Sequence, residues 1–143
     1  MKITGIIAFF VLAVVFSCSK GSAPEDSGNG NGHINNPSDT IPPVLVINTP
    51  TENQVFANGS VIQITGRITD EEGLYRGSVR LTNDANGAML KEQLYEIHGV
   101  RLYNFSVNHT ASVTTASDYT VTVRFEDHGY NAVTKSVKIK VNP

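Results

Sequence analysis

From residue 41 to residue 143 the sequence predicts an all-β domain, an antiparallel β-sandwich of about seven strands. Apolar and polar side chains alternate there in short runs, as they do in strands with one buried and one solvated face. Turn-forming Gly, Asn, Asp and Pro separate these runs. The chain has one cysteine, so no internal disulfide can form and the domain needs an ordinary apolar core.

The strands follow one another along the chain. The first run, VLVI, is continuous and ends at the Asn-Thr-Pro of residues 48–50. In the second run Ile62, Ile64 and Ile68 alternate with polar residues, and the later runs alternate in the same way. The runs that we predict as strands are residues 44–47, 62–69, 78–82, 103–108, 119–126 and 136–141.

Residues 88–98 fit two structures. Their Met, Leu, Lys, Glu and Gln favour a short helix, for which Gly99 is a suitable end. The turn sequence of residues 83–87 (NDANG), which lies between two apolar runs, favours a hairpin instead. We expect an irregular strand, with the short helix as the alternative. Either structure gives about seven strands in about 100 residues, which is typical of an immunoglobulin-like sandwich.

Residues 1–17 have the pattern of an export signal. Lys2 precedes an apolar run, residues 3–16, that is shorter than the roughly 20 residues of a spanning helix. A cleaved signal peptide is therefore expected. The run ends in Val-Phe-Ser-Cys, which resembles the lipobox of bacterial lipoproteins. The resemblance implies that Cys18 becomes the first mature residue and carries acyl chains such as palmitate, which insert into the membrane.

Residues 18–40 form a polar tether in this interpretation. They are rich in Gly, Asn, Ser and Pro and too poor in apolar residues to fold alone. A flexible chain of this length spans about 25 Å. Ser19, directly after the cysteine, is not the aspartate that retains lipoproteins in the inner membrane. We therefore expect a lipid-anchored protein of the cell envelope, in the outer membrane, and the side that it faces stays open.

Charge and motifs exclude several functions. The net charge of −2 becomes −3 when Lys2 is removed with the signal, so nucleic acid is not an expected partner. The four histidines lack the spacing of a zinc site, and no Gly-x-Ser-x-Gly nucleophile motif occurs. We expect neither enzymatic activity nor a cofactor, apart from the calcium considered below.

Two groups of residues resemble a known family. Residues 39–44 (DTIPPV) and 48–50 (NTP) resemble the opening of bacterial Ig-like repeats, which include cadherin-like and fibronectin III-like domains. Residues 118–123 (DYTVTV), followed by Asp127 and Asn131, resemble their closing strands. With the lipobox and the tether, the chain resembles lipoproteins of unknown function of the Bacteroidetes type. This resemblance implies a fold and a location, and it implies no reaction.

Three loop acids are candidate calcium ligands. Asp70 and Glu72 follow the second strand, and Asp127 lies in the last hairpin. The expected topology brings both loops to one pole, next to the point where the tether joins the domain. Calcium takes six to eight oxygen ligands, carboxylates among them. The alternative is that these are three solvated loop acids.

Two more residues have predicted roles. Tyr119 begins the penultimate strand, where a tyrosine hydroxyl in Ig-like domains often bonds a nearby backbone group at one corner of the sandwich. The alternative for Tyr119 is an ordinary core aromatic. Thr40 lies in Asp-Thr-Ile, which resembles an O-glycosylation signal of exported Bacteroidetes proteins.

The predicted function is that of a non-catalytic binding or accessory domain that presents a surface to an envelope protein or a glycan. The chain has no Trp, and only Tyr75, Tyr95 and Tyr130 are candidates for loop aromatics, which favours a protein partner over a glycan. Two alternatives are open. One is a structural spacer or assembly subunit that pairs through an edge strand. The other is a calcium-stabilised adhesion module.

Overall fold

The computed structural model describes residues 36–143. This range lies in the second of two compact units of the chain, His33–Pro143. The predicted signal peptide, Cys18 and the tether up to residue 35 lie outside the described residues. Within the described range there is no helix long and apolar enough to cross a membrane.

Strands account for most of the described residues, and the all-β prediction is confirmed. The segment from residue 89 to 98 lies in a strand, so the helix alternative is wrong. β3 and β4 are longer than predicted, at 23 and 22 residues, because each joins two of the expected strands. The strands are β1 (Val44–Thr49), β2 (Gln54–Ala57), β3 (Val61–Asn83), β4 (Met89–Thr110), β5 (Ser117–Asp127) and β6 (Ala132–Asn142).

The two long strands pass through both layers of a sandwich. Residues 61–69 of β3 pair with β1 on one side and with the end of β4 on the other. After a register shift between Thr69 and Leu74, β3 pairs instead with β5 and with the beginning of β4. Layer one is therefore β1–β3–β4, and layer two is β4–β3–β5–β6–β2. All pairs are antiparallel except β2 with β6, which is parallel. This architecture confirms the immunoglobulin-like sandwich.

The apolar core lies between the two layers. The inward residues are those that the alternation predicted, and most are fully buried. The rings of Phe105 in layer one and Phe125 in layer two lie 5.6 Å apart, so the two layers meet through these side chains. The other large buried side chains are Leu45, Ile62, Ile64, Ile68, Leu74, Val79, Leu81, Val121, Val123 and Ile139.

Each central phenylalanine packs on a glycine of β3. A Cβ atom added to Gly77 would lie 2.1 Å from Cδ1 of Phe125, and one added to Gly66 would lie 2.3 Å from Cζ of Phe105. The absence of a side chain at these two positions lets the rings lie flat against the strand. The contact between the layers therefore depends on Gly66 and Gly77 as well as on the rings.

We expect Gly77→Ala to lower the free energy of unfolding by about 2 kcal/mol, because the added methyl group overpacks the core at Phe125. The matched control is Ser78→Ala, the next residue on the same strand, which should change stability by less than about 0.5 kcal/mol. Urea denaturation of both variants measures the difference. Equal stabilities would contradict this account of the interlayer contact.

Candidate functional site

The bend of β3 places a carboxylate at the pole where the described chain begins. Asp70 precedes the bend and is 9% exposed. Its Oδ1 accepts hydrogen bonds from the backbone N–H groups of Glu72, at 3.0 Å, and Gly73, at 2.7 Å. Gly73 has φ of 121°, a conformation that favours glycine. The carboxylate of Asp70 thus stabilises the turn that moves β3 from one layer to the other.

The hairpin between β5 and β6 supplies a second carboxylate. Asp127 ends β5 and is completely buried. Its Oδ1 accepts a hydrogen bond from the backbone N–H of Asn131 at 2.9 Å, and its Oδ2 accepts one from Nδ2 of Asn131 at 3.0 Å. One asparagine therefore holds both oxygens of Asp127 in place.

The beginning of the described chain supplies a third carboxylate, that of Asp39. Nδ2 of Asn131 also donates to the backbone oxygen of Asp39, at 3.1 Å, and the N–H of Asn36 donates to the oxygen of His128 at 3.1 Å. A Cβ atom on Gly129 would lie 2.7 Å from the oxygen of Asp39, so a glycine is needed for this close approach. These contacts fasten residues 36–39 to the last hairpin.

Together Asp39, Asp70 and Asp127 form the carboxylate cluster. One oxygen of each lies within 4.8 Å of the others. Oδ1 of Asp39 accepts a hydrogen bond from the N–H of Ile41, whereas its Oδ2 is buried and has no hydrogen-bond partner among the described residues. The ion pairs found within residues 36–143 all involve other acids. Three neighbouring carboxylates in this setting are a suitable ligand set for a hard cation such as calcium.

The surroundings of the carboxylate cluster change the pKa of one of its members, Asp70. Burial, and to a smaller degree the neighbouring charges of Asp127 and Asp39, raise the pKa of Asp70. The two backbone N–H groups that bond its Oδ1 oppose this effect and lower the pKa. Burial and repulsion are the stronger influences, so the ionised form of Asp70 is disfavoured. A bound cation would reverse that preference.

Two of the three predicted calcium ligands, Asp70 and Asp127, come together in this cluster. Glu72 lies at its rim, where its Oε2 accepts a weak hydrogen bond from Nδ2 of Asn36 at 3.4 Å. The third member is Asp39, which the sequence analysis had not proposed as a ligand. The available signal was the predicted topology, which placed the end of the tether at this same pole.

The structure places the other two candidate residues as follows. Tyr119 is 2% exposed and pairs with Ile139 on β6, and burial raises the pKa of its hydroxyl. It is a core aromatic, and its bond to a backbone group stays a prediction. Thr40 is exposed, next to the fastened Asp39. Its glycosylation stays a prediction as well.

The three candidate loop aromatics differ in position. Tyr95 lies within β4 and packs on Tyr103 and Phe125, with ring centroids 5.5 and 5.8 Å apart, so it is not a loop residue. Burial, with a smaller contribution from Tyr103, raises the pKa of Tyr95 to about 12. Tyr75 lies in β3, stacked on the ring of His128 at 5.1 Å. Tyr130 lies in the last hairpin and is 54% exposed.

Comparison with known proteins concerns the fold alone. No protein-family model and no curated protein matches the chain. Fibronectin(III)-like modules of Clostridium thermocellum CbhA are 19% identical over 71% of this chain and 47% of that chain, with a TM-score of 0.45. This chain therefore spans about half the length of the CbhA chain.

Two other solved structures are similar to a comparable degree. Murine CRIg is 13% identical over 70% of this chain and 96% of that one, with a TM-score of 0.44. A CARDB domain from Pyrococcus furiosus, in complex with di-metal ions, is 15% identical over 71% of this chain and 96% of that one, with a TM-score of 0.40.

We expect Asp70→Asn to raise the melting temperature of the calcium-free protein at pH 7 by a few degrees, because it removes a charge that burial, and to a smaller degree the neighbouring Asp127 and Asp39, disfavours. The asparagine oxygen keeps both backbone hydrogen bonds. Because the folded-state pKa of Asp70 is raised, its cost is present above that pKa and disappears as the pH falls below the unfolded value of 3.8. The gain should therefore vanish below about pH 4.

The control for this charge change is Glu71→Gln, which alters an exposed neighbouring acid. Thermal melts in chelator from pH 3.5 to pH 7 compare both variants with the unaltered protein. A loss of stability in Asp70→Asn at pH 7 would contradict the assigned repulsion.

Proposed function

We propose that the chain is a lipid-anchored cell-envelope protein whose Ig-like domain is a non-catalytic binding or accessory module for a protein partner. The proposal places the acyl chains on Cys18 and the protein in the outer membrane. The surface that supports it is the outer face of layer two. The supporting observation is that this face holds three arginines in defined positions on β3 and β5, beside one exposed leucine on the edge strand β4.

Paired acids position the arginines of this face. Glu126 is 5% exposed at its side chain and accepts hydrogen bonds from Arg76 at 3.0 Å and from Arg124 at 2.7 Å. Arg80 pairs with Glu92 at 2.7 Å. Because these contacts restrict the guanidinium groups before any partner binds, less conformational entropy is lost on binding.

Leu94 provides an exposed apolar side chain on the same face, on its edge strand β4. It is 59% exposed and lies opposite Ser78, which in turn pairs with Arg124. Arginine is enriched in the interfaces of protein complexes. The arrangement thus favours a protein partner. Edge pairing through β4, whose described strand pairing is with β3 alone, is the structural alternative.

Binding is tested with the full-length protein, extracted from the envelope in mild detergent, as bait in native envelopes. We expect a stoichiometric partner that Leu94→Asp loses at least about tenfold, since a buried charge at an interface costs more than about 1.4 kcal/mol. The control is Val55→Asp, an equally exposed valine on β2 that should retain the partner. Equal capture by both variants, or no capture by the unaltered protein, would contradict the proposal.

Anchoring is tested separately by mass spectrometry of the N-terminal peptide from the native host. The proposal expects a peptide that begins at Cys18 and carries acyl chains, both in the unaltered protein and in a Ser19→Ala control. Cys18→Ala should yield no acylated peptide. An unmodified cysteine, or a retained residue 1, would overturn the anchoring.

A second function, calcium-dependent stiffening of the junction between tether and domain, is favoured by the carboxylate cluster. Asp39 belongs to the incoming chain, whereas Asp70 and Asp127 belong to the two layers. A cation bound by all three would cross-link the incoming chain to the sandwich. The buried, unpartnered Oδ2 of Asp39 is the observation that carries this proposal.

We expect saturating calcium to raise the melting temperature above that in chelator, because binding to the folded state alone adds to stability. Calcium at 100 times its dissociation constant contributes about 2.7 kcal/mol. Asp70→Asn should lose this gain, and the exposed Glu71→Gln should keep it. Identical melting temperatures with calcium and with chelator would rule the site out.

A further inference from the structure

The outer face of layer one carries exposed apolar side chains at the end nearest the incoming chain. Val44, Thr69 and Leu102 lie in one row across β1, β3 and β4. Val44 is 64% exposed and Leu102 is 50% exposed. Val46 lies on the next row, beside the exposed Arg67. The next two rows along this face, Thr65 with Ser106 and Gln63 with Asn108, are polar, and the exposed Val61 lies alone at the far end.

Ile41 extends this surface to the pole. It is 66% exposed and borders a shallow depression together with Val44 and Thr69. Its N–H donates to Oδ1 of Asp39 at 2.9 Å, so the carboxylate cluster fixes its position. We call Ile41, Val44, Val46 and Leu102 the apolar strip.

The size of the apolar strip argues against a second copy of the chain as its occupant. Interfaces of permanent homodimers are larger and more apolar than those of separable complexes, whereas the apolar strip is four residues at one end of the layer. Residues 19–35 contain almost no apolar side chains, so their composition does not match an apolar strip. We therefore expect that the apolar strip contacts an apolar surface that another attachment already keeps close to the domain.

We propose that the apolar strip lies against the lipid bilayer in which Cys18 is anchored. This inference rests on the proposed anchoring. About 20 residues separate Cys18 from residue 36, and a flexible chain of that length reaches about 25 Å, so anchoring at Cys18 would keep the bilayer within reach of the pole at which the strip begins. At such effective concentrations a weak apolar contact is sufficient for docking.

The position of Arg67 suits contact between the apolar strip and a lipid bilayer. This residue lies between Val46 and Asn104 in the second row, at the border between the apolar strip and the polar rows. A guanidinium group at the edge of an apolar surface is suited to lipid phosphates, while the apolar side chains enter the boundary between headgroups and acyl chains. Docking in this way would turn layer one toward the membrane and layer two, with Leu94, away from it.

The test uses the full mature lipoprotein in vesicles of phosphatidylethanolamine and phosphatidylglycerol that contain a lipid with a quencher near the headgroup. The only native cysteine carries the acyl chains, so an introduced cysteine takes a fluorescent label selectively. Asn104→Cys places the label beside the strip and leaves all four strip residues intact. Thr134→Cys places it on the exposed outer face of β6, in layer two.

We expect quenching at residue 104 to exceed that at residue 134 by about threefold or more, because only the strip lies at the depth of the quencher. Adding Val44→Asp to the Asn104→Cys protein should remove the difference. Equal quenching at both positions would overturn the proposal. So would energy transfer between labelled copies that replaces the quenching, since a second copy would then cover the strip. Flotation with the vesicles reports anchoring independently, so failed docking is distinguishable from failed anchoring.

Discussion

Strand β3 bends between Thr69 and Leu74, and β4 returns beside it into the other layer. The two layers share these strands, so the bend is what stacks one layer on the other. The turn itself is held by the carboxylate of Asp70, which accepts two backbone hydrogen bonds there. The constraint that builds the sandwich therefore also places a charged group at its pole.

Two more carboxylates, those of Asp127 and Asp39, lie beside Asp70 at this pole. Asp127 is held by Asn131, and the same asparagine fastens the backbone of Asp39. Three carboxylates consequently lie together, and burial, with a smaller contribution from the other two carboxylates, raises the pKa of Asp70. A divalent cation bound there would offset this cost at Asp70. In the calcium proposal, this pole is the place where a bound cation would stiffen the junction between the incoming chain and the domain.

Strands with one solvated and one buried face were readily predicted, because the alternation of apolar and polar residues follows directly from the pleat of a strand. Two features were less accessible. The short β2, Gln54–Ala57, has two apolar residues that are only partly covered or exposed, and it is held by a parallel pairing with β6 that no local pattern indicates. β3 continues through its bend because backbone N–H groups there donate hydrogen bonds to Asp70. In the sequence, residues 70–74 look like an ordinary loop between two strands.

The candidate site could also be predicted only in part from the sequence. Asp70 and Asp127 were predicted because the fold fixes where their loops lie. Asp39 was missed because its position depends on contacts of Asn131 and Gly129 that are 90 or more residues away in the chain. The predicted topology was sufficient to place the loops of Asp70 and Asp127 at one pole. It did not indicate which residue of the polar tether packs against them.

The claim at the centre of this account is that the three carboxylates at the bend form one cation site. Equilibrium dialysis of the full-length protein against radioactive calcium tests it directly. The account predicts one calcium ion per chain, lost in Asp70→Asn and retained in Glu71→Gln. No bound calcium at millimolar concentration, or equal binding by the two variants, would contradict it.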